Sequence, residues 1–138
     1  MLTSWMLWSL LAMLAWGLYG FLPKLAGQHL APAHAMIYYA LGVAAVAVAG
    51  AATGGLVGRP TTAGVAPAFL TGVCGAVGGL AYFHALRDAP VSVAAPLTAM
   101  YPLITLLLAF AVLREQISAR QWLGVAMALA AIWLIAEK

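Results

Sequence analysis

Acidic side chains are nearly missing from this sequence. Three of its 138 residues are Asp or Glu, and Asp88, Glu115 and Glu137 all stand at the ends of apolar runs. Proton-coupled exporters of cations usually need a carboxylate within the membrane, to alternate between proton and cargo; the interior of this chain offers none. Charge of either sign is scarce, at 7% of residues against 66% hydrophobic, with a mean hydropathy of +1.05. That excludes a soluble domain, which would lack the polar surface to face water. The basic excess is only three charges, spread singly through connecting segments, so lipid headgroups rather than nucleic acid are the expected neighbours. A lone cysteine, Cys74, excludes an internal disulfide and reads as a small packing residue. The three histidines have no metal-ligand spacing, and no cofactor or metal is expected. A P-loop, a G-x-S-x-G elbow and an H-E-x-x-H pair are all missing, so neither an ATPase nor a hydrolase is indicated and no enzyme is expected. No basic n-region precedes the first apolar run, which argues against a signal peptide.

What is present is apolar length. Uncharged runs cover 1–23, 25–58, 60–86, 89–113 and 121–136. A membrane helix needs ~20 mostly apolar residues; the last run is short, but Arg120 and Lys138 can snorkel to extend it. The expectation is an all-α, multi-pass protein of the cell (inner) membrane, a single domain over 1–138, with helices near 4–23, 34–56, 65–86, 91–113 and 120–136. Pro23-Lys24, Ala31-Pro32, the glycines around Arg59-Pro60 and the Arg87–Pro90 turn mark the boundaries, and Ser118 is placed to cap the last helix. Basic residues tally evenly between the two sides: Arg59, Arg114 and Arg120 against Lys24, Arg87 and Lys138. Cytoplasmic loops ordinarily hold the excess, so the tie fits insertion in both orientations, a weakly determined one, or chance among few charges.

The fourth run, VSVAAPLTAMYPLITLLLAFAVL, contains two prolines. Pro96 cannot donate to the carbonyl of Ser92, nor Pro102 to that of Thr98. Thr98, Tyr101 and Thr105 share a helical face. They either patch a kinked helix or line a polar cavity, and broken membrane helices often sit at binding sites. Trp16, Tyr19, Tyr38, Tyr39, Tyr82 and His84 are further cavity candidates, with packing the competing reading for each; His84 and Asp88 are spaced to meet on one face near the surface. Trp5, Trp8, Trp122 and Trp133 suit an aromatic belt. Gly72, Gly75 and Gly79, like Gly42, Ala45 and Ala49, allow helices to approach closely, within one bundle or between two.

Several of these features occur together in one family. Tyr82 followed by Ala85-Leu86, the prolines at 96 and 102, Leu113 and Glu115 in the next turn, and Gln121 with Gly124 opening the last helix resemble the EamA domain of the drug/metabolite transporter superfamily. Trp16-Gly17, Phe21 and Lys24 are similar to its first-helix pattern, so the resemblance covers nearly the whole chain. Most members carry two inverted units of this kind. The resemblance therefore implies a single-repeat branch in which two copies assemble antiparallel as a homodimer around a central cavity. It also implies export of small organic metabolites, amino acids or drug-like amphipathic compounds by alternating access. The small multidrug resistance relatives carry a glutamate in helix one, and SWMLWSLLAMLAWGLYG has none. That departure favours neutral or zwitterionic cargo. A lipid-linked-sugar flippase or lipid-handling subunit, and a non-transporting subunit of a larger complex, are the alternative readings.

Overall fold

The computed structural model describes residues 4–54 and 60–136. The expectations placed on Arg59, Glu137 and Lys138 lie outside the described residues. Helices α1 (Ser4–Ala26), α2 (Pro32–Gly54) and α3 (Thr62–Asp88) are continuous. The fourth apolar run is divided into α4 (Val91–Thr98) and α5 (Tyr101–Leu108), and α5 leads into a π-helical turn, Ala109–Leu113. Helix α6 spans Ala119–Ala136. Among the described residues every regular element is helical, as segments that must satisfy their own backbone in lipid require. Among the described residues, four stretches are long and apolar enough to cross a membrane, the fourth being Val91–Leu113 taken through its interruption. Helix α6 is shorter, ~27 Å at 1.5 Å per residue, close to the ~30 Å of a hydrocarbon core.

Helix ends depart from the sequence expectation where prolines were read as stops. Helix α1 runs through Pro23 to Ala26. A proline one turn from a C-terminus removes a single hydrogen bond, and the Gly27 amide then closes the helix by donating to the Pro23 carbonyl at 2.9 Å. Pro32 is the first residue of α2 rather than its predecessor, because the first turn has no intrahelical use for that N–H. Helix α3 continues through Pro67 in its second turn, at the cost of one bond to the Ala63 carbonyl, and extends beyond 65–86 at both ends. The capping expectation for α6 is met by a reciprocal pair: the Ser118 amide donates to Gln121 Oε1 at 2.8 Å, and the Gln121 amide donates to Ser118 Oγ at 3.3 Å.

The chain divides into two compact units, Met1–Asp88 and Ala89–Lys138. In the first, α3 packs against both α1 and α2. That packing is confined to one end. Pro23, Pro32, Ala35, Gly79, Tyr82, Phe83 and Leu86 are buried, whereas every residue of 40–54 and of 60–75 is exposed. In the second unit α4 packs against α6, and Phe110 meets Trp122 edge-on with ring centroids 6.5 Å apart. The connection after the π-turn contains Arg114 in the left-handed region (φ 56°, ψ 32°), the one non-glycine residue of positive φ among the described residues.

Candidate functional site

Among the described residues, two places combine polar groups with space. The first is the closed end of the α1–α3 unit. Here Tyr19 stands between two other tyrosines, with ring centroids 5.8 Å from Tyr39 and 6.2 Å from Tyr82. The Tyr82 hydroxyl donates to the Gly20 carbonyl of α1 at 2.6 Å. Lys24 Nζ donates to the Leu86 carbonyl near the C-terminus of α3, also at 2.6 Å, where a cation additionally suits the negative end of the helix. These two bonds link α1 to α3 with the same spacing in sequence, one helical turn apart on each partner. Gly79 completes the cluster from α3: a Cβ there would lie 3.1 Å from Tyr19 Oη and 3.7 Å from a Tyr39 ring carbon, so a side chain would displace the rings. Beside the cluster lies a cavity of about 480 Å³ whose lining includes Tyr19, Tyr38, Tyr39, Leu22, Leu30 and Phe83. Apart from the tyrosine hydroxyls, this lining is apolar.

The second place is the interruption of the fourth run. Ala99 and Met100 have ψ of 1° and −7°, far from the helical value near −42°. The pyrrolidine of Pro102 would collide with the Thr98 carbonyl in a regular helix, and the chain avoids this by opening over the two preceding turn residues. Tight bonds replace the helical ladder there: Met100 donates to the Leu97 carbonyl at 3.2 Å and Leu103 to the Met100 carbonyl at 2.9 Å. Leu103 is therefore no longer the donor to Ala99. Pro102 has no N–H to offer the Thr98 carbonyl. A cavity of about 380 Å³ adjoins the break, with Ala99, Met100 and Pro102 on one side and Gln121, Gly124 and Val125 on the other.

The residues singled out from sequence are distributed between these places. Tyr38, Tyr39 and Tyr82 belong to the first, together with Tyr19. Trp16 and His84 are exposed, as is Asp88, and neither Trp16 nor His84 is among the residues around the first cavity. Thr98 and Thr105 turn their hydroxyls back on their own segment: Thr98 Oγ1 donates toward the carbonyls of Ala94 and Ala95, at 2.9 and 3.0 Å, and Thr105 Oγ1 to that of Tyr101, at 3.3 Å. The break also separates Thr98 on α4 from Tyr101 and Thr105 on α5, so the shared face of a regular helix is interrupted. Pro96 lies within α4 and Pro102 within the first turn of α5. Of the packing glycines, Gly79 is enclosed, whereas a Cβ at Gly72 or Gly75 would meet nothing within 4 Å. The sequence marks Lys24 as a charge, a boundary and a member of the first-helix pattern, but not as the partner of Leu86, which is 62 residues away.

Among known families, the model of the EamA-like transporter family aligns with residues 3–136. No curated protein and no solved structure matches the chain.

Proposed function

The chain belongs to the EamA-like transporter family, and on that premise we propose that it carries small amphipathic organic molecules across the cell membrane as an antiparallel homodimer. It is a multi-pass membrane transporter of the drug/metabolite type; the cargo class, the export direction and the two-copy assembly are our reading. The observation that carries the assembly is the uncovered half of the first unit. Throughout 40–54 and 60–75, every residue is exposed, including the small residues Gly42, Ala45, Ala49, Gly72 and Gly75. Lipid competes equally for large apolar side chains, but small residues gain most from a close-packed helix. The five-helix repeat is also an odd number of spans, and an inverted second copy supplies the other half of an alternating-access pathway. The even distribution of basic residues removes the usual obstacle to inserting one sequence in both orientations.

Two measurements test this. Purified protein in proteoliposomes should accelerate flux of neutral or zwitterionic amphipathic solutes above that of empty vesicles. A C-terminal tag should be reached by impermeant label from both sides of the membrane. A strictly one-sided C-terminus rules out the antiparallel homodimer, and absence of flux for every solute class counts against transport by this chain alone.

A further inference from the structure

We propose that the gap between α1 and α2 holds one acyl chain of an anionic phospholipid, with the phosphate of that lipid at a basic rim formed by His29, His34 and Arg87. The site does not depend on which cargo the chain carries or in which direction. Helices α1 and α2 pack on α3 more than on each other. The space left between them is the cavity of about 480 Å³. Its α1 wall runs from Ala15 to Ala26, ~16 Å at 1.5 Å per residue and about half of a ~30 Å hydrocarbon core. A slot one leaflet deep, ending where the helices end, has the proportions of an acyl chain. Leu18, Leu22, Leu30 and Phe83 are among its apolar walls.

The rim carries charge where the phosphate of such a lipid would lie. Each element around the slot places a basic or titratable residue just beyond a lining residue. On α2, His34 precedes Tyr38 by one turn and shares its face. On α3, Arg87 follows Phe83 by one turn, and between α1 and α2, His29 adjoins Leu30. All three rim residues are exposed. The other ionisable groups at this end are Lys24, His84 and Asp88. Lys24 donates to the Leu86 carbonyl, and His84, adjacent to Phe83 in sequence, falls on a different face of α3. Asp88 is the single acid among these six groups, so an anion is the complementary headgroup. Each cation near an anionic lipid strengthens binding about fivefold. Histidine as a class gains charge as pH falls from about 8 to about 5, so the rim becomes more positive on acidification. A soluble phosphate uses the rim alone and leaves the slot empty, whereas a phospholipid fills both.

The probes are dioleoyl phosphatidylglycerol and dioleoyl phosphatidylcholine, which share their chains and differ in net charge. The phosphodiester of the first stays ionised throughout the pH range used. Binding to the purified full chain in detergent is measured by native mass spectrometry at about pH 8 and about pH 5. Phosphatidylglycerol should bind about fivefold tighter than phosphatidylcholine at the higher pH, and about fivefold more again at the lower. Arg87→Gln should remove the preference at the higher pH. His29→Gln combined with His34→Gln should remove the gain on acidification and leave the rest. Leu18→Trp narrows the slot and should weaken both lipids alike, about tenfold. All four positions are exposed, so the substitutions leave the packed end of the unit intact. Glycerol phosphate should not displace the lipid. Equal affinity for the two lipids, a preference unchanged in Arg87→Gln, a pH gain unchanged in the double histidine variant, or unchanged binding in Leu18→Trp overturns the proposal. Displacement by glycerol phosphate as effective as by the lipid itself assigns the rim to a free phosphate and overturns it equally.

Discussion

The two units contain the same kinds of residue and put them to opposite use. In the α1–α3 unit Pro32 falls in a first turn, Pro67 in a second and Pro23 in a last, the helices stay whole, and a hydroxyl and an ammonium reach from one helix to the carbonyls of another. In the α4–α6 unit the prolines fall mid-segment, the helix divides, and the neighbouring hydroxyls fold back locally. Position within a span thus decides whether a proline is structural punctuation or a break in the helix. The first unit is fastened at one end and the second is opened in its middle.

The largest effect should come from unfastening the closed end. Tyr82→Ala removes a buried ring, its stacking on Tyr19 and the bond to Gly20. A loss of about 3–5 kcal/mol is expected, as for other buried aromatic truncations, and SDS-titrated unfolding followed by circular dichroism would read it. Tyr82→Phe should cost only about 1 kcal/mol, since Gly20 also sits within a helical ladder. A full-size loss in Tyr82→Phe would mean that the hydroxyl, not the ring, holds the helices. Lys24→Met comes next. It keeps the aliphatic stem but deletes a charged donor to Leu86, for an expected loss of about 1.5 kcal/mol, discounted toward 1 because the residue is only part-buried. Tyr82→Phe and Lys24→Met share one interface, so their effects should not add in a double-mutant cycle. Strict additivity would show the two bonds to be independent fastenings.

Much of this arrangement was legible in the sequence where the physics is local. The apolar runs gave the spans, the prolines at 96 and 102 marked an interrupted segment, and Ser118 with Gln121 gave the last helix start, because each depends on neighbours within a few residues. Reading Pro23 and Pro32 as boundaries displaced two helix ends, since a proline's cost depends on which turn it occupies. The position of the break, between the prolines rather than at either, follows from how the chain relieves the Pro102 clash and was not visible in composition. The π-turn and the left-handed Arg114 were equally hidden. The Tyr19–Tyr39–Tyr82 cluster joins three helices, and apolar spans with weak periodicity give no indication of which faces meet.

Smaller effects are expected in the second unit, where less is tied together. Arg114 occupies the left-handed region without being glycine, at a cost of about 1 kcal/mol. Arg114→Gly should therefore stabilise the protein by somewhat less than that, about 0.5 kcal/mol after the added chain entropy of glycine. A destabilised variant would assign the guanidinium a contact that outweighs the strain. Thermal unfolding in detergent is sensitive enough to give the sign.

An effect of similar size bears most directly on what covers the open half of the first unit. Gly72 and Gly75 lie within α3 with nothing within 4 Å of a Cβ built on either. For a single chain surrounded by detergent or lipid, each substitution to alanine should stabilise α3 by about 0.5–1 kcal/mol, the ordinary gain of replacing a mid-helix glycine. If another copy of the chain packs on this face, the added methyl groups separate two helix backbones, and the same substitutions should weaken the assembly instead. The two contributions are separated by concentration. Unfolding of the monomer at high dilution reports the helix propensity, and the monomer–dimer equilibrium in detergent, followed by energy transfer between labelled copies, reports the interface. A gain in the first measurement with a loss in the second identifies α3 as the covered face. A gain in the first with no change in the second leaves that face to lipid and moves the inter-copy contact to another helix.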